Sequence, residues 1–199
     1  MALNLHSDYD TAKEEAKKVL LSDGLVVYPT DTLYGIGCNA LSHKAVEKIY
    51  AAKMREKGKP LSIIVADYAM LLDYCEVSSA QERVLHALLP GPYTFILKLR
   101  KKLPVSPTLS VGIRVPEHMF MRQVSRELSM PIVSTSANIS GAEGPSEAGD
   151  LDPGVSRLAD LIIDGGKCRY SQGSTVIDLI NMKVVRMGAV RKGDRFELG

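Results

Sequence analysis

No run of about 18 consecutive apolar residues occurs in the 199-residue chain, so the sequence offers no membrane-spanning helix. Its first 24 residues, MALNLHSDYDTAKEEAKKVLLSDG, also lack the basic start and apolar stretch of an export signal. Cysteine is scarce. Cys38, Cys75 and Cys168 stand far apart with no Cys-x-x-Cys pair, which argues against a disulfide framework or structural zinc and points to a reducing compartment, the cytoplasm. Charge excess is small as well: 25 Lys and Arg against 23 Asp and Glu leave a net +2, too little for a global field that gathers nucleic acid or coats a membrane. Any attraction for anions must be local.

Several catalytic signatures are missing. There is no Gly-x-Ser-x-Gly, and His6, His43, His86 and His118 show no pattern that pairs one with a serine, which excludes a serine hydrolase. The stretch GGKCRYSQGST does not fit a Walker loop, and YGIGCNALS lacks the third glycine of a dinucleotide fingerprint. Without His-Glu-x-x-His, paired histidines or clustered carboxylates, no protein-built metal site is expected.

What the chain has is a 45% apolar fraction, ample for one packed core, and patterning that mixes helices and strands. Ala12, Ala16, Val19 and Leu20 follow helical spacing between a cap near Ser7 or Asp10 and a stop at Gly24. LVVYP is a buried strand ended by Pro29, followed by a loop, TDTLYGIGCNAL. Ser42 caps a helix carrying Ala45, Val46, Ile49, Tyr50 and Ala52 on one side. PLSIIVA is a strand, DYAMLLDYC a short helix, and Ser79 with Glu82 forms a capping box for the next helix. YTFILKL, VGIRVP, PIVSTS, LIIDGG, STVIDLI and KVVRM are six more strands, with a helix near 117–128. The expectation is an α/β fold, a mixed, twisted open sheet flanked by helices, forming a single domain over residues 1–199. Residues 141–154, GAEGPSEAGDLDPG, read as a long mobile loop.

Four polar features stand out. KMREKGKP concentrates Lys53, Arg55, Lys57 and Lys59 at a helix carboxyl end, where cations meet partial negative charge; Gly58 and Lys59-Pro60 turn the chain into a strand and hold the charges at a sheet edge, where ligands of α/β sheets bind. Such a run is also the ordinary solvated basic turn. PIVSTSANISG ends a strand in hydroxyls, an amide and backbone N–H groups, a neutral cradle for carboxylate or phosphate oxygens. Arg114 lies in an apolar strand, so either an internal carboxylate or a ligand must satisfy it. YPTDT and QGST supply further hydroxyls, for which a self-satisfying polar turn is the plain alternative.

Taken together and in this order, YPTDTLYGIG, KMREKGKPLSIIV, PGPYTFIL, VGIRVP, STSANISG and GSTVIDL with VVRMG resemble the YrdC-type threonylcarbamoyl-AMP synthases, in their single-domain form, over about residues 24–190. The resemblance implies a concave basic cavity and formation of threonylcarbamoyl-adenylate from L-threonine, bicarbonate and ATP with release of pyrophosphate. It also implies Mg2+ arriving with ATP, and a downstream transferase complex that modifies adenosine 37 of tRNA to N6-threonylcarbamoyladenosine. Carried over by motif, Thr32, Arg114, Ser134 and Ser174 would hold threonine. Arg55, Lys59, Ser110, Ser136, Asn138, Ser146 and Arg186 would contact nucleotide, and Lys53 with Arg55 would neutralise phosphates as the catalytic pair. Two features depart from the family pattern: Ile64 stands where some members carry a threonine-contacting histidine, and the stretch before Pro145-Ser146 is long. Two other readings stay open. One is a non-catalytic module binding tRNA or double-stranded RNA, although no aromatic-basic stacking platform is present; the other is a paralogue that adenylates a different carbamate.

Overall fold

The computed structural model describes residues 1–196. Its elements are β1 (Ala2–Asn4), α1 (Tyr9–Leu21), β2 (Val26–Tyr28), β3 (Gly35–Gly37), α2 (His43–Ala52), β4 (Ser62–Ile64), α3 (Tyr68–Tyr74), β5 (Cys75–Glu76), α4 (Ser79–Leu88), β6 (Tyr93–Leu99), β7 (Ser110–Arg114), α5 (Met119–Leu128), β8 (Ile132–Ser136), α6 (Pro153–Leu158), β9 (Leu161–Asp164), β10 (Thr175–Asp178) and β11 (Lys183–Arg186). The strands join in the order β1-β9-β2-β3-β8-β4-β7-β6-β10-β11, with β5 beside β6. Parallel pairs such as β4 with β7 and β6 with β10 alternate with antiparallel ones such as β6 with β7 and β4 with β8, so the sheet is mixed. Among the described residues no helix is long and apolar enough to cross a membrane.

Side chains alternate between the two faces of a strand, and here each face has its own fate. Ile63, Tyr93, Phe95, Leu97, Val111, Ile113, Val133 and Ile177 enter one core with Ala45, Val46 and Ile49 of α2 and Val84 and Leu85 of α4. On the opposite face, Val26, Tyr28, Ile64 and Ile132 pack beneath Ala12, Ala16 and Leu20 of α1 and Phe120, Met121 and Val124 of α5. That second cluster stops short of β6, β7 and β10. Thr94, Ile96, Ser110, Arg114 and Val176 on this face, together with Ser62 and Ser134, line a cavity instead of entering that cluster.

Several local expectations are corrected. The segment read as loop 30–41 contains β3, which pairs on both sides, with β2 and with β8. Its glycines hid it, and close approach demands them: a methyl at Gly37 would sit 2.2 Å from the Val133 carbonyl oxygen and 3.0 Å from the Tyr28 ring. The capping box is formed by Ser78 and Gln81, one position earlier than expected. Helix α1 turns off at Asp23, in the left-handed region at φ 59°, rather than through Gly24. Within 141–154 the chain makes a short 3-10 turn at Ala148–Asp150, and α6 begins at Pro153 with Asp152 accepting from the N–H groups of Gly154 and Val155. The basic turn enters β4, which is interior to the sheet and not an edge strand. The three cysteines are free and buried. Burial raises every thiol, Cys75 to about 12 and Cys168 to about 11, with Cys38 shifted in the same direction.

Because a backbone carbonyl cannot step aside as a side chain can, Gly37→Ala should cost about 1–3 kcal/mol of stability, read as a lower urea midpoint at unchanged slope. Gly149, where an added methyl would meet nothing within 4 Å, serves as control: Gly149→Ala should stay within about 0.5 kcal/mol of the parent.

Candidate functional site

The open part of the second face floors a cavity of roughly 510 Å³, within the range of small-molecule sites. Register sets the floor. Ile96 lies opposite Gly112, Gly112 opposite Ser62, and Ser62 opposite Ser134, while Thr94 and Val176, also opposite each other, extend it through β6 and β10. A methyl on Gly112 would come within 2.6 Å of the Ser62 hydroxyl, so glycine keeps the floor low between two polar strands. The walls are Thr30 and the Thr32–Gly35 segment, Arg55 with Pro60-Leu61, Ala142 and Gly144, Gly173-Ser174, and Arg186.

Arg114 follows Gly112 on the same face at the end of β7, nearly buried. The charge is satisfied from inside: Nη2 donates to Asp31 Oδ1 at 3.0 Å and to Thr32 Oγ1 at 2.9 Å. Asp31 Oδ2 in turn accepts from the Glu117 backbone N–H at 2.8 Å. Nε has no protein partner, so the guanidinium is held without being saturated. A buried guanidinium fork of this kind suits a carboxylate. Across the cavity, Arg55 donates from Nη2 to the Pro60 carbonyl at 3.1 Å and leaves a buried Nε unpartnered. Arg186 donates to the Ser174 carbonyl at 3.0 Å. Three arginines and a series of hydroxyls thus face one space, and among the described residues no carboxylate lines it.

Of the residues expected at the site, Thr32, Arg55, Ser110, Arg114, Ser134, Ser136, Ser174 and Arg186 line this cavity together. Lys53, Lys59, Asn138 and Ser146 do not. Lys53 is 2% exposed; its ammonium donates to the carbonyl oxygens of Ser136 and Asn138, the latter at 2.7 Å, and to Asn138 Oδ1 at 3.2 Å. Burial, then the neighbouring Arg55, pull that ammonium down to about 8, and it still carries its charge at neutral pH. Asn138 uses its Nδ2 on the carbonyls of Ile139 and Ala142, at 3.0 and 2.6 Å. Lys59 is exposed and paired with Glu56 at 3.0 Å, and Lys57 pairs with Glu47. Ser146 donates to Asp150 Oδ2 at 3.3 Å. Of the four cations in KMREKGKP, only Arg55 reaches the cavity. Ile64 lies on the cavity-bearing face but beneath α5, in the apolar cluster and outside the lining.

The lining also holds Ser62 and Thr94, which motif reading passed over, and Thr30 and Thr135, which it noted among the hydroxyls of YPTDT and PIVSTSANISG without giving them a ligand role. Alternation could have found two of them, since Ser62 and Thr94 share the face opposite Ile63, Tyr93 and Phe95. Thr94 and Ser174 hydrogen-bond at 2.8 Å. Among the described residues no three His, Cys, Asp or Glu side chains gather into a metal-holding group.

The same arrangement of chain occurs in known proteins. A Methanocaldococcus jannaschii protein provisionally named threonylcarbamoyl-AMP synthase is 40% identical over 193 residues, covering 93% of this chain and 90% of its own length. The Mus musculus threonylcarbamoyl-AMP synthase is 37% identical over 185 residues, covering 87% of this chain and 64% of its own length. The crystal structure of P. abyssi Sua5 complexed with L-threonine superposes with a TM-score of 0.83 at 30% identity, over 94% of this chain and 57% of that one. This chain therefore spans less than two thirds of the mouse and P. abyssi proteins. The Sua5/YciO/YrdC family model, described as "Telomere recombination", matches residues 18–188. The chain belongs to the Sua5/YciO/YrdC family.

Proposed function

We propose that this protein is an L-threonylcarbamoyladenylate synthase, a nucleotidyltransferase that joins L-threonine, bicarbonate and ATP and releases pyrophosphate. The observation that carries the reading is the single cavity in which Arg55, Arg114 and Arg186 face a hydroxyl-rich floor, in a chain whose relatives bear that enzyme's name and include a Sua5 structure holding L-threonine. The threonine amine and bicarbonate condense to a carbamate with loss of water. A carbamate oxygen then attacks the α-phosphorus of ATP, and the bond from that phosphorus to the bridging oxygen breaks to free pyrophosphate. The carbamate itself is the nucleophile, so the protein's work is positioning and charge neutralisation. Arg114 would take the threonine carboxylate, with Thr32, Ser134 and Ser174 around it. Arg55 and Arg186 would meet the phosphates, and Ser110 and Ser136 the nucleotide. Magnesium would come with ATP, held by phosphate oxygens and water, in keeping with a lining of hydroxyls. The product would pass to a transferase complex that modifies adenosine 37 of tRNA.

Lys53 enters this proposal as the clamp on the Ser136–Asn138 segment, not as a phosphate ligand, and Lys59, Asn138 and Ser146 stand outside the contact set.

The direct test incubates pure protein with ATP, magnesium and bicarbonate, with and without L-threonine, and follows pyrophosphate and the adenylate by mass spectrometry. Threonine-dependent adenylate is expected. Turnover indifferent to threonine would mean a different carbamate, and tight tRNA binding without turnover would mean a binding module. Arg55→Ala should raise KM for ATP on the order of 10- to 100-fold, the equivalent of about 1.5–3 kcal/mol for a charged hydrogen bond, with an unaltered circular dichroism spectrum. Unfolding of that variant would make the arginine structural. Lys53→Met should instead lower stability, by about 1–3 kcal/mol for each carbonyl left dry, visible as a reduced urea midpoint before any assay.

A further inference from the structure

A guanidinium carries five N–H protons, one on Nε and two on each Nη, and accepts nothing. In Arg114 the protein engages only Nη2, which donates to Asp31 Oδ1 at 3.0 Å and to Thr32 Oγ1 at 2.9 Å. Nε has no protein partner, and among the described residues no side-chain hydrogen bond uses Nη1. The direction in which those free donors point is therefore set by whatever fixes Asp31. Three bonds do so, and they close on themselves. The Glu117 backbone N–H donates to Asp31 Oδ2 at 2.8 Å, and the Tyr170 backbone N–H donates to the Asp31 carbonyl at 2.9 Å. The Tyr170 hydroxyl then donates to Glu117 Oε2 at 3.1 Å. Asp31, Glu117 and Tyr170 come from three separate connections, after β2, between β7 and α5, and between β9 and β10. Every donor in the ring meets a carbonyl or carboxylate oxygen, so the direction of each bond is fixed.

We infer that Glu117 and Tyr170 are positioning residues, whose side-chain bond closes a ring around Asp31 and thereby aims the free N–H groups of Arg114 at the carboxylate of the amino-acid substrate. The inference deepens the threonine reading above and rests on it. Neither side chain lines the cavity; both act through Asp31. Without the Tyr170 hydroxyl the ring opens, and the two backbone bonds to Asp31 no longer constrain each other. A guanidinium that is free to swing keeps its charge but loses the fork geometry that matches a carboxylate. The cost then falls on the amino acid and spares the nucleotide, which meets Arg55 and Arg186 on other walls. Arg169 marks the limit of the ring: it donates from Nη1 to the same Glu117 Oε2 at 3.0 Å, but its side chain is 69% exposed and an ion pair so placed holds little.

Tyr170→Phe removes one oxygen and leaves the backbone N–H on Asp31. The dissociation constant for L-threonine, read by calorimetry, and KM for L-threonine should both rise about fivefold, while kcat and KM for ATP stay within about twofold. Glu117→Ala should bring the same rise, and the double variant no more than Glu117→Ala alone, since both break one bond. Glu117→Gln, whose amide oxygen still accepts from Tyr170, should stay within about twofold of the parent, and so should Arg169→Ala. Unchanged L-threonine affinity in Tyr170→Phe overturns the inference. So does an equal rise in Arg169→Ala, which would mean general loosening of that turn, or a matching rise in KM for ATP. Should Glu117→Ala lose its circular dichroism spectrum, Tyr170→Phe, Glu117→Gln and Arg169→Ala decide without it. If the unaltered protein neither binds L-threonine nor makes the adenylate, the functional reading fails, and side-chain nitrogen NMR of Arg114 still judges the ring. Faster rotation about the bond from Cζ to Nη2 in Tyr170→Phe upholds it, and unchanged rotation refutes it.

Discussion

The floor of this site follows from the two-residue period of a β-strand. Strands β4, β6, β7, β8 and β10 each contribute one set of side chains to the core and the other to a face that α1 and α5 cover only in part. Burying the first set supplies the drive to fold, at about 25 cal/mol for each Å² of apolar surface removed from water. The second set is thereby free to be small and polar. A cavity floored by Ser62, Thr94, Gly112 and Ser134 costs little in packing, because the sheet is already anchored from its other side.

The electrostatics obey the same economy. A buried arginine without a partner would be prohibitive, and Arg114 is tolerated because Asp31 and Thr32 meet it from the loop between β2 and β3. Asp31 is fixed in turn by the Glu117 backbone. The pair thus ties the end of β7 to the loop after β2, and the same contact that satisfies the charge also sets the distance between two walls.

Much of this was legible from the chain alone. In α2, Ser42 caps as expected and all five apolar residues assigned to the inner side are buried, since amphipathic spacing and a capping hydroxyl are local signals. β3 was hidden because its glycines read as a turn, and only the Tyr28 ring and the Val133 carbonyl explain them. The basic junction was legible as a cluster but not residue by residue. Met54 adopts φ 48° between Lys53 and Arg55, and this reversal after the helix sends one cation into the Ser136–Asn138 segment and the next into the cavity. Spacing along a chain carries no trace of such a turn. Arg114 was legible as a buried charge needing a carboxylate or a ligand, but the choice of Asp31, 83 positions away, is a matter of topology.

The sulfur chemistry has a practical side. With Cys38, Cys75 and Cys168 all enclosed and their thiolates disfavoured, the native fold offers thiol-alkylating dyes almost nothing to attack. A single thiol introduced at the cavity mouth would be the one reactive thiol among the described residues, so a fluorophore or spin label could report on ligand arrival without first stripping the natural cysteines.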